Sequence, residues 1–155
     1  MKNVNDLVWE AIHTGEGALP WSVKGVETVA AGATATNPTP VSVELIGEIF
    51  YLPFIVPSGH VLVIRRLHLS TANDLNAITR LRLLVTGGGY TNIKIRDLIQ
   101  IAGLAFEEHE TGLWIPEGYS LRVDLANGSA SPMEMIYMIS GILVNISEAF
   151  KKERG

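Results

Sequence analysis

Residues 55–64 read IVPSGHVLVI, and residues 114–123 read WIPEGYSLRV. Both stretches place an apolar residue before Pro-x-Gly and a largely apolar run after it. Proline fixes φ at about −65° and suits the second position of a tight turn, and glycine accepts the backbone angles that close such a turn. The two stretches therefore predict two corners at which the chain leaves one strand and begins another. Their similarity fits internal pseudo-symmetry, as in a double Greek key, with coincidence as the alternative, because Pro-x-Gly is common before strands.

Strand patterns extend outward from these corners. Val41 and Val43 alternate with polar residues, which is the period of a strand with one buried face. The glycines at 87–89 lack the Lys and the Ser or Thr of a phosphate-binding loop and predict a hairpin turn, as do Asn127 and Gly128. Further strands are predicted over residues 61–70, 79–85, 91–95, 120–125 and 133–146. About seven to nine short strands with at most one helix predict an all-β antiparallel sandwich.

The opening segment differs from the rest of the chain. Residues 4–13 (VNDLVWEAIH) have apolar side chains at helical spacing and predict a short amphipathic helix, with Asn3 or Asn5 as its N-cap. Residues 28–43 carry no charge and are rich in Ala, Thr, Gly and Pro, which predicts an extended arm or long loop. We therefore predict an N-terminal helix and arm over residues 1–40, a β-sandwich over 41–146 and a polar tail over 147–155.

The composition limits the classes of function. The chain has 155 residues, a net charge of −4, 47% hydrophobic residues and no cysteine. Disulfides and thiolate metal sites are excluded, and a broad phosphate-binding surface is not expected, so we predict no nucleic-acid partner. No apolar run approaches the roughly 20 residues of a membrane-spanning helix, and the N-terminus lacks the pattern of a signal peptide, so we predict no membrane partner.

The order of these features resembles jelly-roll proteins of viruses and tailed phages. An arm comes first, then VPSGHVLVIRRL (56–67), then GLWIPEGYSLRVDLANGSASP (112–132) and a long apolar closing strand. The opening NVNDLVWEAIHTGEGALPWSV (3–23) is similar to the N-terminal segment of such a particle protein, which lies on a neighbour. The resemblance implies a non-enzymatic capsid, decoration or accessory protein located in the virion and assembled in the host cytoplasm. It also implies a homotrimer and other particle proteins, such as a major capsid protein, as partners.

An enzymatic site is not expected from the residues. Cupin-type jelly rolls place a metal-binding His three residues after the Gly of a Pro-x-Gly turn, but Leu62 and Leu121 stand at those positions. The histidines are scattered singly, whereas a catalytic metal needs two or three converging ligands. A solvated edge or loop is the favoured interpretation of EEHE at 107–110, and Glu107 and His109, which would share one side of a strand, are weak metal candidates. We predict no cofactor.

The closing strand carries more apolar surface than one core can bury. One face has Met133, Met135, Tyr137, Ile139 and Leu143, and the other has Ile136, Met138, Ile142, Val144 and Ile146. The second face needs cover, for which we predict a neighbouring subunit, with cover by residues 1–40 as the alternative. The predicted interface residues are Val4, Leu7, Val8, Trp9, Ile12, Trp21, Trp114, Ile136, Met138, Ile142 and Val144. Each tryptophan is equally plausible as a core residue.

A carbohydrate- or receptor-binding module is the alternative function. It would use Tyr90, Trp114 and Tyr119 as aromatic platforms and Asn127 as a polar contact. The arginines at 65, 66, 80 and 82 could form a basic patch if their strands are neighbours. In a protein of negative net charge, salt bridges to Asp or Glu are the favoured interpretation.

Overall fold

A computed structural model gives the fold and describes residues 2–46, 48–71, 78–101 and 104–147. In these ranges the chain forms one helix and ten strands. Their bounds are α1 Val4–Thr14, β1 Ala18–Val29, β2 Thr34–Thr36, β3 Ser42–Glu44, β4 Phe54–Ile55, β5 His60–Thr71, β6 Ile78–Gly87, β7 Tyr90–Ile101, β8 Leu104–Ile115, β9 Ser120–Asn127 and β10 Met133–Asn145. The predicted all-β character is confirmed.

Two antiparallel sheets make the sandwich. The first sheet has the order β3-β1-β10-β5-β8, and the second has the order β2-β9-β6-β7, with β4 also paired to β9. The pairs are nested: β1 with β10, β2 and β4 with β9, β5 with β8, and β6 with β7. A long antiparallel hairpin rolled up in this way is a jelly roll. The predicted antiparallel sandwich of jelly-roll type is therefore the observed architecture.

The core lies between the sheets and follows the period-two pattern of the strands. In β10 the side chains of Met135, Tyr137, Ile139 and Leu143 point into it, as the sequence predicts. A β-bulge interrupts the pairing of β10 with β5 between Ser140 and Gly141, where Arg65 of β5 is the extra residue. A Cβ at Gly141 would lie 1.9 Å from the backbone oxygen of residue 63, so no other residue fits this bulge without a shift of the backbone.

The two Pro-x-Gly corners lie against each other at one end of the sandwich. Val56 N donates to the Tyr119 carbonyl at 2.9 Å, and Gly118 N donates to the Val56 carbonyl at 2.8 Å. The Glu117 carboxylate accepts a hydrogen bond from Gly59 N at 2.6 Å. Gly59 has φ +75° and Gly118 has φ +79°, so both turns need the left-handed region that glycine adopts freely. The two Pro-x-Gly stretches thus form similar turns that are hydrogen-bonded to each other.

The opening segment contains the predicted helix but a shorter arm. Asn3 caps α1, because its side chain accepts from Asp6 N at 2.9 Å while the Asp6 carboxylate accepts from Asn3 N. Residues 18–29, assigned above to the arm, form β1 and pair along their whole length with β10. The sandwich therefore begins at Ala18 and not at residue 41. Most of the predicted tail, residues 148–155, lies outside the described residues.

Candidate interaction surfaces

Helix α1 covers one half of the outer face of the first sheet. Leu7, Val8 and Ala11 are buried there. They form an apolar cluster separate from the core, together with Val61, Val63, Val144 and Ile146 of the sheet side. Each fully buried Leu or Val contributes roughly 1.5–3 kcal/mol relative to exposure. The opening segment is therefore folded onto the closing strand of its own chain.

This packing corrects part of the predicted interface. Leu7, Val8 and Val144 are buried under α1, and Trp21 is buried in the core between the sheets. Val4, Ile12, Trp114 and Ile142 are partly buried against the same helix-side cluster. Cover by the same chain holds for this half of the face, because an adjacent amphipathic helix buries its apolar stripe without the entropy loss of association.

Two tryptophans mark the border of the covered half. The Trp9 side chain is 42% exposed, and its ring meets the Trp114 ring nearly edge-on, with centroids 5.7 Å apart. The Trp114 indole N–H donates to the Thr111 carbonyl at 2.8 Å. The pair fixes α1 beside strand β8 and leaves part of the Trp9 ring in contact with solvent.

The other half of this sheet face has no helix over it. Val26 lies opposite Ile136, and Lys24 lies opposite Met138. Phe106 continues the row of Met138 two strands away. Val26 is 39% exposed and Phe106 is 55% exposed, while Ile136 and Met138 are partly exposed. Among the described residues Lys24 has no ion-pair partner. We call these five residues the open face; two of them, Ile136 and Met138, are predicted interface residues.

A second apolar surface lies where the chain crosses from β3 to β4, at one edge of the sandwich. In the crossing, Leu45, Leu52 and Phe54 are buried and close this edge of the core. The outward side chains are apolar as well: Ile46 is 70% exposed, Ile49 81%, Tyr51 67% and Ile55 64%. We call these four residues the edge stripe. None of these four residues is among the predicted interface residues, although LIGEIFYLPFIV (45–56) is apolar at both alternating sets of positions and carries only Glu48 as a charge.

The opposite edge of the sandwich is closed by charged groups. Arg96 of β7 donates two hydrogen bonds to the Glu107 carboxylate of β8, and His109 Nε2 lies 2.5 Å from the same carboxylate. These bonds, led by that from Arg96, lower the pKa of Glu107, although partial burial opposes the shift. The hydrogen bond to Glu107 raises the pKa of Arg96.

This cluster of Arg96, Glu107 and His109 contains both predicted metal candidates. Glu107 and His109 lie on one side of β8, as the sequence predicts, but the Arg96 guanidinium supplies the positive charge that a metal ion would bring. Across the described ranges, no group of three or more His, Asp or Glu side chains is placed to hold a metal ion. The observed arrangement is therefore an ion-pair cluster joining the two sheets.

The residues of the carbohydrate-binding alternative are only partly brought together. Tyr90 and Tyr119 line a shallow cavity of about 240 Å³ with Ile93 and two β6 residues. Asn127 is 2% exposed and donates to the carbonyls of residues 29 and 131, so it holds loops together and does not face a ligand. Trp114 lies beside α1. The cavity therefore has an aromatic wall without the predicted polar contact.

Three of the four arginines pair with carboxylates, as predicted, whereas Arg65 donates to the His109 carbonyl at 3.3 Å. On β6, Arg80 lies 3.0 Å and Arg82 lies 3.9 Å from the Asp97 carboxylate of β7. On β5, Arg66 lies 3.5 Å from Glu108. The two pairs of arginines belong to different sheets and form no continuous basic surface. Within the described part of the chain, no helix has the length and apolar character needed to cross a membrane.

Comparisons with known proteins add little to this geometry. No family model matches the chain, and no curated protein matches it. One solved structure with a detectable likeness is described as the structure of infectious bursal disease virus, Gt strain. The identity is 10%, the match covers 88% of this chain and 42% of that chain, and the TM-score is 0.26. A likeness this distant identifies no family, and the function has to be argued from the surfaces of the chain itself.

Proposed function

We propose that this protein is a non-enzymatic structural subunit that self-associates and forms part of a virus or phage particle. The observation that carries the proposal is the edge stripe, in which Ile49 and three further large apolar side chains are 64–81% exposed. Single exposed apolar residues are ordinary on a protein surface, but a contiguous segment of them marks an interaction site.

The apolar area is of the size that association needs. Four side chains of this size and exposure present on the order of 500 Å², and a standard interface takes roughly 800 Å² from each partner, a little over half of it apolar. At about 25 cal/mol per Å², covering 500 Å² contributes on the order of 12 kcal/mol before the costs of association. The surface can therefore support a stable complex.

The particle assignment rests on the strand order together with the sequence. Nested pairing of the strands gives the double-sheet jelly roll that capsid proteins share with lectin domains and cupins. The turn and strand sequences resemble those of small viral and phage particle proteins, and the cupin ligand positions hold leucine. We therefore propose a location in the virion, with a homotrimer as the unit and other particle proteins as its neighbours.

Light scattering coupled to gel filtration tests self-association. A mass that is a multiple of 16.8 kDa at micromolar concentration is the expected result, and a monomer at tens of micromolar overturns the proposal. Mass spectrometry of particles purified from cells that carry the gene tests the location. Recovery of the chain in a fixed ratio to the major particle protein is expected, and its absence from the particles would refute the particle role.

Carbohydrate binding remains a second candidate because Tyr90 and Tyr119 share one cavity. Aromatic rings stack on sugar rings, and Tyr90 is 67% exposed. A glycan array probed with the wild-type chain and with Tyr90→Ala separates the two functions. Binding that the substitution removes supports the module, whereas no binding on the array leaves the structural role as the proposal.

A further inference from the structure

We propose that the protein assembles head to tail, with the edge stripe of one copy docked on the open face of the next copy. This inference rests on the proposed self-association and specifies which surfaces meet. The stripe and the face lie on different parts of one subunit, so each copy can offer one surface to each of two neighbours. Contacts of this heterologous kind build closed rings when the rotation closes.

The edge stripe lies over a cluster of packed aromatic rings. The crossing segment is fixed from below by an aromatic cluster, in which the Trp21 ring stacks on Phe50 at 5.3 Å and Phe50 meets Phe54 edge-on at 4.9 Å. Trp21 itself is 1% exposed. A surface that is packed on its buried side loses less entropy on association than a free segment would.

The open face offers a surface of complementary character. It is the exposed side of adjacent strands, with Val26, Ile136 and Met138 as its apolar centre. Lys24 stands among them without an ion-pair partner in the described residues. The only charge within the crossing segment is the exposed carboxylate of Glu48. Docking the stripe on the face therefore brings a free carboxylate to a free ammonium group.

A symmetric dimer through the stripe alone is disfavoured by the same charges. In a two-fold contact each residue of the stripe approaches the same region of its partner. Both Glu48 carboxylates would then lie within one interface without Lys24, and like charges brought together at an interface cost free energy. Lys24 and the open face would also stay exposed. The head-to-tail contact removes the repulsion and covers both apolar surfaces.

Engineered thiols test the arrangement, since the chain contains no cysteine. Ile49→Cys and Met138→Cys are made separately, purified, mixed to exchange subunits, and treated with a short bismaleimide. A cross-linked dimer in the mixture, with little in either variant alone, is the expected result. Cross-linking of Ile49→Cys with itself indicates the symmetric contact and overturns the proposal. The matched control is Thr91→Cys, an exposed position on the opposite edge, which should not link to Ile49→Cys.

A charge swap provides a second test that does not depend on thiol geometry. Glu48→Lys and Lys24→Glu should each raise the concentration at which the oligomer dissociates by tenfold or more. The double variant Glu48→Lys with Lys24→Glu should return it to within about threefold of wild type. Glu110→Lys, an exposed carboxylate outside both surfaces, is the control and should have no effect. Failure of the double variant to restore assembly contradicts the head-to-tail contact.

Failure of self-association and failure of the head-to-tail contact give different results. If light scattering shows wild-type protein as a monomer, self-association itself is wrong. If wild type is an oligomer but neither the thiol pair nor the charge swap behaves as described, self-association stands and the head-to-tail contact is wrong.

Discussion

The two edges of the sandwich are closed by opposite means. Between β7 and β8, the Arg96–Glu107 pair links the two sheets through hydrogen bonds and charge. Between β3 and β4, the chain crosses with the Trp21–Phe50–Phe54 ring cluster beneath it and isoleucines above it. Charged groups are exposed to solvent at the first edge, and apolar side chains are exposed to solvent at the second.

The two edges differ in how strongly they discourage pairing with another chain. Strand β8 carries EEHE and bulges away from β5 between Glu108 and Leu113, and charges and bulges on an edge strand discourage pairing with another chain. In the β3–β4 crossing Glu48 is the single charge of the sequence 45–53, and Ile46, Ile49 and Tyr51 are exposed around it. The apolar edge is therefore the one that the proposed self-association would cover.

The largest effect is expected at the aromatic edge. Trp21→Ala should lower the free energy of unfolding by about 3–5 kcal/mol, because a fully buried ring is replaced by a cavity under the crossing segment. Chemical denaturation followed by circular dichroism measures the change. Trp21→Phe is the matched control: it keeps a ring on Phe50 and removes an indole N–H that has no hydrogen-bond partner, so its cost should stay below about 2 kcal/mol. Equal costs for both variants would contradict the role of the ring stack.

An intermediate effect is expected at the corner that joins segments from the two edges. Gly118, after β8, donates to the Val56 carbonyl, after β4. Gly118→Ala should cost about 1–2 kcal/mol because φ is +79°, while a Cβ there meets no atom within 4 Å. Gly118→Asn should cost less, since Asn adopts the left-handed region more readily. The shift in denaturation midpoint checks both, and a neutral Gly118→Ala would show that the turn has relaxed.

A smaller, pH-dependent effect is expected at the polar edge. The pKa of Glu107 is lowered in the folded protein, so the ionised carboxylate stabilises the fold above its unfolded pKa of about 4.3, and this contribution is lost as pH falls through the folded value. Wild type should exceed Glu107→Gln by up to about 1 kcal/mol at pH 7, a modest value because the Arg96 side chain is 42% exposed.

The corresponding measurement is urea unfolding at pH 7 and at pH 3. The difference between wild type and Glu107→Gln should shrink at the lower pH. Glu110→Gln on the same strand is the control and should show the same small difference at both pH values. A gap that widens in acid would contradict the assigned direction.

The smallest effect on stability is expected at the edge stripe. Ile49→Ser should change the free energy of unfolding of the subunit by no more than about 0.5 kcal/mol, because the side chain is 81% exposed. The same substitution should reduce the oligomer mass in light scattering at low micromolar concentration. A variant that assembles as wild type does would show that the stripe lies outside the interface.

Much of the architecture could be predicted because short stretches of sequence determine it. The Pro-x-Gly corners at 57–59 and 116–118, the two-faced closing strand and the N-terminal helix each follow from a short pattern with one physical reading. The boundary of the sandwich could not be found in this way. Residues 18–29 (ALPWSVKGVETV) contain a Pro, a Gly and a Lys, and only pairing with β10, far along the chain, shows that they form a strand.

The interaction surfaces were harder to predict than the fold. The excess apolar content was recognised but assigned to the closing strand, half of which α1 covers. Leu7 and Ile49 look equally apolar in the sequence, yet one is 2% and the other 81% exposed. Which of the two is covered depends on tertiary packing, and composition carries no information about it.

The nested pairing has a consequence for how the protein is made. Ala18 pairs with Val144 and Val29 pairs with Met133, so the first long strand has its main partner at the far end of the described chain. During synthesis β1 cannot form this pairing until β10 has left the ribosome, so its hydrogen-bonding groups toward β10 stay unpaired until then. Folding that depends on contacts between such distant residues is slow, and its intermediates are prone to aggregate because they expose apolar surface. We expect the yield of native protein to depend on chaperone capacity and on translation speed more than on the stability of the finished subunit.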